Sequence, residues 1–419
     1  GGNKPDFRTI NRFRLDMKNV IEDVFYEVIK LLIEKNYIKL QNYFLDGTKI
    51  EANANKYTFV WNKSVQNYDK KLDEKIKNHL REIDRVVAEE NRIYLDEDLE
   101  ELGENNRITS EQVEAVVESI DARLAETPDN KELKKKAKEF KKDILPRKKK
   151  YEEALHTFEG RNSYSKTDHD ATFMRMKEDA MLNGQLKPGY NVQIGTENRY
   201  IVGYTIHPNP TDTKTMIPHL NHLKEKLGTL PENIITDSGY GSEENYEYLE
   251  ETHLGSYVKY NKFHWEKKKK NRENPYLMEN MPYTAETDSF ICKNEKRLVH
   301  KGSRKYVTEA GYETSRDYYT CEDCRECPYA SECKNTEKNR TVQVSHRLNE
   351  LKRKANENLC SEKGLQLRAQ RVVEVEQTFG RIKGCWSFRR FHLRGKDKVK
   401  IEWGLLAIAH NITKMALEG

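Results

Sequence analysis

Ile234-Ile235-Thr236-Asp237-Ser238-Gly239 is an apolar run cut off by a carboxylate and a turn glycine. That is the pattern of a buried strand delivering one acidic side chain at its end. The pattern occurs a second time far upstream, where Tyr43-Phe44-Leu45 runs into Asp46-Gly47. Open α/β sheets build their sites at the carboxyl ends of strands, so the two runs predict a site containing Asp46 and Asp237. Aspartate beside glycine is also an ordinary turn former, and one such pair alone favours that reading. Two of them, with a third carboxylate on a late helix, favour a site.

Working outward, Tyr190-Asn191-Val192-Gln193-Ile194-Gly195 and Tyr200-Ile201-Val202-Gly203-Tyr204-Thr205-Ile206 alternate as strands. Helices are predicted at 213–227 and 242–251, and a further strand at 256–260, which completes an α/β unit. Residues 5–38 read as helical. Residues 60–160 differ in character. Leu72, Ile76, Leu80, Ile83 and Val87 repeat at helical spacing between charges, as do Val113, Val117, Ile120 and Leu124, and Leu133, Ala137, Phe140 and Ile144. Thr109 and Gln112 suit a capping box. This is a long helical insertion, a hairpin or coiled-coil arm. Lys148 to Lys150 and Lys267 to Lys270 read as solvated faces or loops. There is no internal repeat.

The third carboxylate comes from Arg371-Val372-Val373-Glu374-Val375-Glu376-Gln377-Thr378-Phe379-Gly380-Arg381-Ile382-Lys383. On an α-helical wheel Val372, Val373, Val375, Phe379 and Ile382 define an apolar face. Glu376 lies roughly 65° from its centre and Glu374 roughly 135° at about 100° per residue. Glu376 is therefore expected to flank the buried face and Glu374 to point to solvent.

Charged residues make up 34% of the 419 residues, against about 25% in ordinary domains, so part of the chain must be solvated helix. The net charge of +5 is a weak signal for nucleic acid. No run approaches the roughly 18 apolar residues of a membrane span, and no secretory signal is visible, so an intracellular protein is the default. Seven cysteines, four of them crowded together, do not form a secreted disulfide framework.

Three carboxylates suit phosphodiester chemistry. Two Mg²⁺ ions about 3.5–4 Å apart can activate a water and stabilise a leaving oxygen, and Mg²⁺ prefers carboxylate oxygens. No histidine or serine constellation offers a rival.

Phe44-Leu-Asp46-Gly-Thr-Lys-Ile-Glu-Ala, Thr167-Asp-His-Asp-Ala-Thr-Phe-Met, Ile235-Thr-Asp237-Ser-Gly-Tyr-Gly-Ser and Val375-Glu376-Gln-Thr-Phe-Gly-Arg-Ile-Lys383 together resemble bacterial insertion-sequence transposases of the DDE superfamily. The nearest group is the one numbered eleven-eighty-two, and the resemblance covers nearly the whole chain. It implies an α/β fold: a ribonuclease-H-like mixed sheet with flanking helices, a long helical insertion and a Cys-containing insertion. It implies catalytic Asp46, Asp237 and Glu376 holding Mg²⁺ or Mn²⁺, two ions in all. The Glu376 to Lys383 spacing resembles the family's glutamate-then-lysine signature, in which the basic residue contacts DNA. Arg371 stands one place from the commonest position of the upstream arginine, and Arg368 and Ala369 stand where the family's tyrosine is expected. The Gly2 to Phe7 segment resembles one that follows an N-terminal DNA-binding region in the family, so the chain is expected to be truncated.

Cys321-x₂-Cys324-x₂-Cys327-x₅-Cys333 suits a structural Zn²⁺, which would rigidify an insertion with little apolar content of its own. Iron–sulfur and metal-free thiols are the alternatives. Residues 371–400 hold nine Lys or Arg and three acids, with Trp386, Phe388 and Phe391 between the arginines. This reads as a phosphate-contacting surface, with Lys383, Arg371, Arg381, Arg389, Arg390 and Arg394 as the DNA-binding candidates. Asp168, Asp170 and Asp212 lie near the expected site; they read first as turn residues and second as groups that support the metal ligands from behind.

The expected organisation is 1–58 (helical remnant and first catalytic strand), 59–165 (helical insertion), 166–260 (core), 261–345 (Cys insertion) and 346–419 (catalytic and closing helices). The expected function is transposition: DNA cleavage at terminal inverted repeats and strand transfer into target DNA. It would be performed by a homodimer in the bacterial cytoplasm, at the nucleoid and off the membrane. The alternatives are an inactive DNA-binding remnant and a ribonuclease-H-like nuclease without strand transfer.

Overall fold

The computed structural model describes residues 4–90, 107–176, 185–308 and 310–418. The chain divides into two compact units. One comprises Gly1–Ile50, Tyr190–His392 and Asp397–Gly419, the other Glu51–Gly189 and Leu393–Lys396.

The first unit is built on a sheet whose strands are β1 (Asn42–Glu51), β2 (Leu186–Glu197), β3 (Tyr200–His207), β4 (Asn233–Thr236) and β5 (Gly255–Val258). They lie side by side in the order β3-β2-β1-β4-β5. β2 and β3 pair antiparallel, while β1, β4 and β5 run parallel. Helices α1 (Ile21–Glu34), α2 (Met216–Leu227) and α3 (Glu243–Glu251) belong to the same unit. This mixed sheet with flanking helices is consistent with a ribonuclease-H-like transposase fold.

The apolar runs explain why β1 and β4 are central. Tyr43, Phe44, Leu45, Ile234 and Ile235 are at most 1% exposed, as strands covered on both faces require. β1 does not stop at Asp46-Gly47 as expected but continues to Glu51. Gly47 is there for close approach rather than for a turn. A Cβ at that position would lie 2.3 Å from Gln193 Nε2 and 2.4 Å from Asp212 Oδ1.

Residues 261–345 form more than a loop-rich insertion. They contain an antiparallel sheet of five strands, in the order Thr341–Val344, Glu313–Cys321, Arg297–Val307, Ser289–Ile291, Tyr283–Thr284. Its core gathers Met281, Phe290, Leu298, Tyr319, Cys321, Val342 and Val344. The period-2 pattern is weak there because much of the long hairpin is exposed on both faces. The chain ends with α4 (His346–Cys360), α5 (a continuous helical run over 362–385) and α6 (Lys396–Glu418).

The second unit carries the helical arm. Helices Asn62–Glu90, Ser110–Glu126, Lys131–Glu139 and Leu145–Phe158, with the π-helical stretch Phe140–Ile144 joining the last two, bury Leu72, Ile76, Ile83, Val113, Val117, Ile120, Leu133, Ala137, Phe140 and Ile144 in one cluster. Val87, the last residue of the first stripe, lies outside the described side chains. Thr109 and Gln112 form the capping box. Lys148 corrects its reading as a solvated residue. It is fully buried, with Nζ 2.7 Å from Asp69 and 2.5 Å from Asp73, because its place on the helix faces two acids of the first arm helix.

Candidate active site

Parallel pairing of β1 with β4 matches Asn42 to Asn233, Tyr43 to Ile234 and Phe44 to Ile235. Continued two places, that register sets Asp46 beside Asp237. β4 ends at Thr236, and the Asp237 carboxylate accepts the Gly239 N–H at 2.8 Å, opening a short 3₁₀ turn over Ser238–Tyr240. Asp46 accepts the Gly47 N–H at 2.8 Å and is nearly buried, whereas the Asp237 side chain is 39% exposed. One cationic group serves both. Arg371 Nη2 lies 3.0 Å from Asp46 Oδ2 and 3.7 Å from Asp237 Oδ2.

Asp212 joins them. Its Oδ1 accepts from Asn191 Nδ2 at 2.7 Å and from Gln193 Nε2 at 2.9 Å. Gln193 in turn accepts from the Tyr240 hydroxyl. Burial holds the Tyr240 phenol well above its usual range, and the charges of Asp212, Asp46 and Asp237 push it the same way. The sequence carried a sign of this network: two amides, at 191 and 193, stand in an otherwise apolar strand. Asp212 is thus no simple turn residue, although its backbone C=O does accept the Thr215 N–H. Asp168 and Asp170 belong to the second unit, where Asp168 pairs with Ser165 and Asp170 accepts the Lys396 N–H at 2.7 Å.

The late helix differs from its expected wheel. Within α5, Val372–Glu376 and Arg381–Cys385 are π-helical, separated by the α-helical turn Gln377–Gly380. A π-turn closes i→i+5 instead of i→i+4, so each holds a surplus residue and rotates the residues beyond it off the α-helical wheel. Glu374 is the buried glutamate, 3% exposed, and Glu376 is exposed. Val372 and Val373, expected on the apolar face, are 50% and 45% exposed. Glu374 accepts the Arg199 N–H at 2.6 Å and Gln370 Nε2 at 3.2 Å. Burial raises its pKa, a rise that the hydrogen bonds from Arg199 and Gln370 oppose. It packs at the β2–β3 turn, the end of those strands away from Asp212. Glu376 makes no hydrogen bond or ion pair among the described residues. It sits between two anchors of α5 on β1: Arg371 on Asp46, and Lys383, whose Nζ donates to the Lys49 carbonyl at 3.2 Å.

This helix lies within a recognisable family segment. Residues 291–416 match the family model described as Transposase DDE domain. This segment is similar to a transposase DDE domain. No curated protein and no solved structure matches it. The matched segment holds Glu376, Lys383 and the cysteines; Asp46 and Asp237 lie upstream of it. The transposase family of that model implies DNA as partner. Among the described residues no helix is long and apolar enough to cross a membrane.

The basic candidates of the DDE domain separate by environment. Arg371 is buried against the aspartates, so the carboxylates rather than solvent claim its guanidinium. Arg381 lies 5.6 Å from the centre of the Trp386 ring. Arg389 and Arg390 are exposed on the loop after α5, and Arg389 donates Nε to the Lys383 carbonyl at 3.4 Å. Phe388 and Phe391 on either side of them are buried. These rings anchor the loop on Trp403 and Tyr190 instead of forming part of a phosphate-contacting surface. Arg394 is exposed in the second unit, its Nε 2.6 Å from the Asn53 carbonyl.

The cysteines do not gather as a tetrahedral set. Cys321 and Cys324 are neighbours. Burial and the Cys324 hydrogen bond push the Cys321 thiol up to about 12. The backbone N–H of Arg340 donates to Cys324 Sγ at 3.4 Å and its guanidinium to Cys333 Sγ at 3.2 Å. Cys321 lies in the apolar cluster of the insertion, with Cys292 and Cys324 packed against it, where thiols act as small hydrophobes. The arrangement does not fit a four-thiolate zinc site. Among the described residues no three His, Cys, Asp or Glu side chains stand ready to hold an ion directly.

Proposed function

We propose that this chain cuts DNA at the ends of a mobile element and joins the freed 3′-hydroxyl to target DNA, with Asp46, Asp237 and Glu376 as its catalytic carboxylates. The observation that carries this reading is the placing of Asp46 on β1 and Asp237 just past the end of its parallel neighbour β4, both facing the guanidinium of Arg371. Two carboxylates facing one guanidinium are a donor set suited to a hard, oxygen-seeking cation. Mg²⁺ or Mn²⁺ bound there, as two ions, would activate the attacking oxygen and stabilise the leaving one.

The side chains divide the remaining work. Asp46, fixed by the β1 ladder, and Asp237, fixed by its turn, would hold the cations. Glu376, exposed between two anchored stretches of α5, would complete the set when DNA lies along the helix. Lys383, Arg381, Arg389, Arg390 and Arg394 would contact phosphates, and Arg371 would keep the aspartates aligned. Cleavage adds a water oxygen to phosphorus and releases the 3′-oxygen as a hydroxyl. Joining repeats the displacement with that hydroxyl as nucleophile. Two ends must be handled together, which calls for two copies of the chain.

The test is Mg²⁺- or Mn²⁺-dependent cleavage of DNA bearing the element's ends, followed by a strand-transfer assay. Asp237→Asn should abolish cleavage and leave DNA binding within about twofold, since one carboxylate is a small part of a phosphate-dominated interface. Undiminished cleavage would overturn the assignment.

A further inference from the structure

We propose that Asp212 is a further carboxylate of the cation site at Asp46 and Asp237, holding a cation-bound water through its outward oxygen. This rests on the reading that the aspartate pair holds a divalent cation.

The first ground is position. A Cβ on Gly47, immediately after Asp46, would come 2.4 Å from Asp212 Oδ1, and one on Gly239, two residues after Asp237, would come 3.4 Å from Asp212 Oδ2. The carboxylate therefore lies against the backbone that follows each aspartate, and the two glycines leave room for it.

The second ground is how it is held. A turn-forming aspartate accepts N–H groups of its own loop. The Asp212 carboxylate instead takes two amide donors from β2, those of Asn191 and Gln193. Both reach Oδ1, and Oδ2 makes no hydrogen bond or ion pair among the described residues. The loop itself is fixed to the far side of the site. Thr213 Oγ1 donates to the Gly239 carbonyl at 2.9 Å, and Asn245 Nδ2 donates to the Thr213 carbonyl at 2.9 Å. One oxygen is thus committed to a rigid support while the other is left open beside two carboxylates, an arrangement with little structural purpose by itself. Contact through water fits Mg²⁺, which keeps several waters when it binds protein.

The experiment measures Mn²⁺ binding to the full chain without DNA, by electron paramagnetic resonance, for the unmutated protein, Asp212→Asn and Asp237→Asn. Asparagine keeps an oxygen for the two amide donors, so the metal-free melting temperature should not change. Asp212→Asn should weaken Mn²⁺ binding by about tenfold, the scale of groups that support metal ligands from outside. If Asp237→Asn binds weakly and Asp212→Asn binds as the unmutated protein does, the role of Asp212 is overturned and the aspartate pair stands. If the unmutated protein takes up no Mn²⁺, or Asp237→Asn binds it undiminished, the pair itself fails and the proposal fails with it. A second measurement needs no variant. Fe²⁺ with ascorbate and peroxide should cut the backbone beside residue 212 as well as beside 46 and 237, and cuts confined to the latter two would overturn the proposal.

Discussion

Two clusters of aspartates in this chain each enclose a buried cationic side chain, and they are completed differently. In the arm, Lys148 contacts Asp69 and Asp73, and Arg107 adds a second cation to Asp69 at 2.7 Å. Each acid there has a cationic partner within contact. In the core, Asp46 and Asp237 share Arg371, the Asp237 contact is the longer one, and the Asp212 carboxylate is held by neutral amides. A buried charge must be paired or it is costly. The arm cluster satisfies that requirement from within, so it reads as structural. The core cluster leaves carboxylate oxygens of Asp237 and Asp212 open toward solvent, as a site for an incoming cation should.

The comparison breaks most visibly at Asp237. Its replacement by asparagine should reduce metal-dependent cleavage to background, whereas Asp73→Asn should leave the catalytic rate unchanged once the folded fraction is corrected for. Cleavage lost equally in both would erase the distinction. Next in size is Lys148→Met, which leaves Asp73 without its cation and the buried Asp69 with Arg107 alone. It should cost about 3–5 kcal/mol of stability, read by denaturant unfolding, with Mn²⁺ affinity unaltered; a loss below about 1 kcal/mol would mean the arm cluster is not sealed. Arg371→Gln sharpens the contrast from the other side. Removing the resident cation should tighten Mn²⁺ binding several-fold while lowering the metal-free melting temperature, and weakened Mn²⁺ binding would show that Arg371 assists the cation instead of standing in its place.

Smaller effects are expected at the glutamates and thiols. Glu376→Gln should impair cleavage, and Glu374→Gln should not. The sign of the Glu374 effect on stability comes from burial. A carboxyl whose folded pKa is raised binds protons more readily in the folded state. Its contribution is therefore present at acid pH and is lost as pH rises from the ordinary carboxylate range through the raised value. Glu374→Gln should flatten that decline, giving a slightly higher melting temperature at pH 7 than the unmutated chain. An unchanged pH profile would count against a raised pKa. Elemental analysis should find well under one zinc per chain; about one, lost on Cys324→Ser, would restore the thiolate site.

Much of the core was legible because strands encode their neighbours simply. An apolar run that stops at Asp237 gave both the strand and its acidic end, and the arm stripes gave the faces that pack together. Asp46 was found for a partly mistaken reason, since Gly47 serves close approach inside a continuing strand. Asp212 was placed near the site but ranked first as a turn residue, because its partners come from another strand and a loop aspartate looks the same whether it caps a turn or faces a site. Lys148 was hidden because one lysine among three neighbours discloses nothing of the acids opposite. The glutamates of α5 were exchanged because a wheel assumes constant winding, and nothing in Val372-Val373-Glu374-Val375 marks a π-turn.

The π-turns also give α5 a mechanical property. A helix with a surplus residue in one turn is a screw with slack in its thread: its two ends can stay seated while the part between them rotates. Arg371 and Lys383 are the seats, and Glu376 is on the slack portion. Passing the surplus residue of the first π-turn into the turn that follows it would carry Glu376 around the helix axis while the winding between Arg371 and Lys383 stays the same, so the bearing of this glutamate can be set by hydrogen-bond partner exchange in neighbouring turns. Faster amide exchange at 376 and 377 than at 366 and 367 would register that motion, and equal protection throughout α5 would mean that the thread is tight.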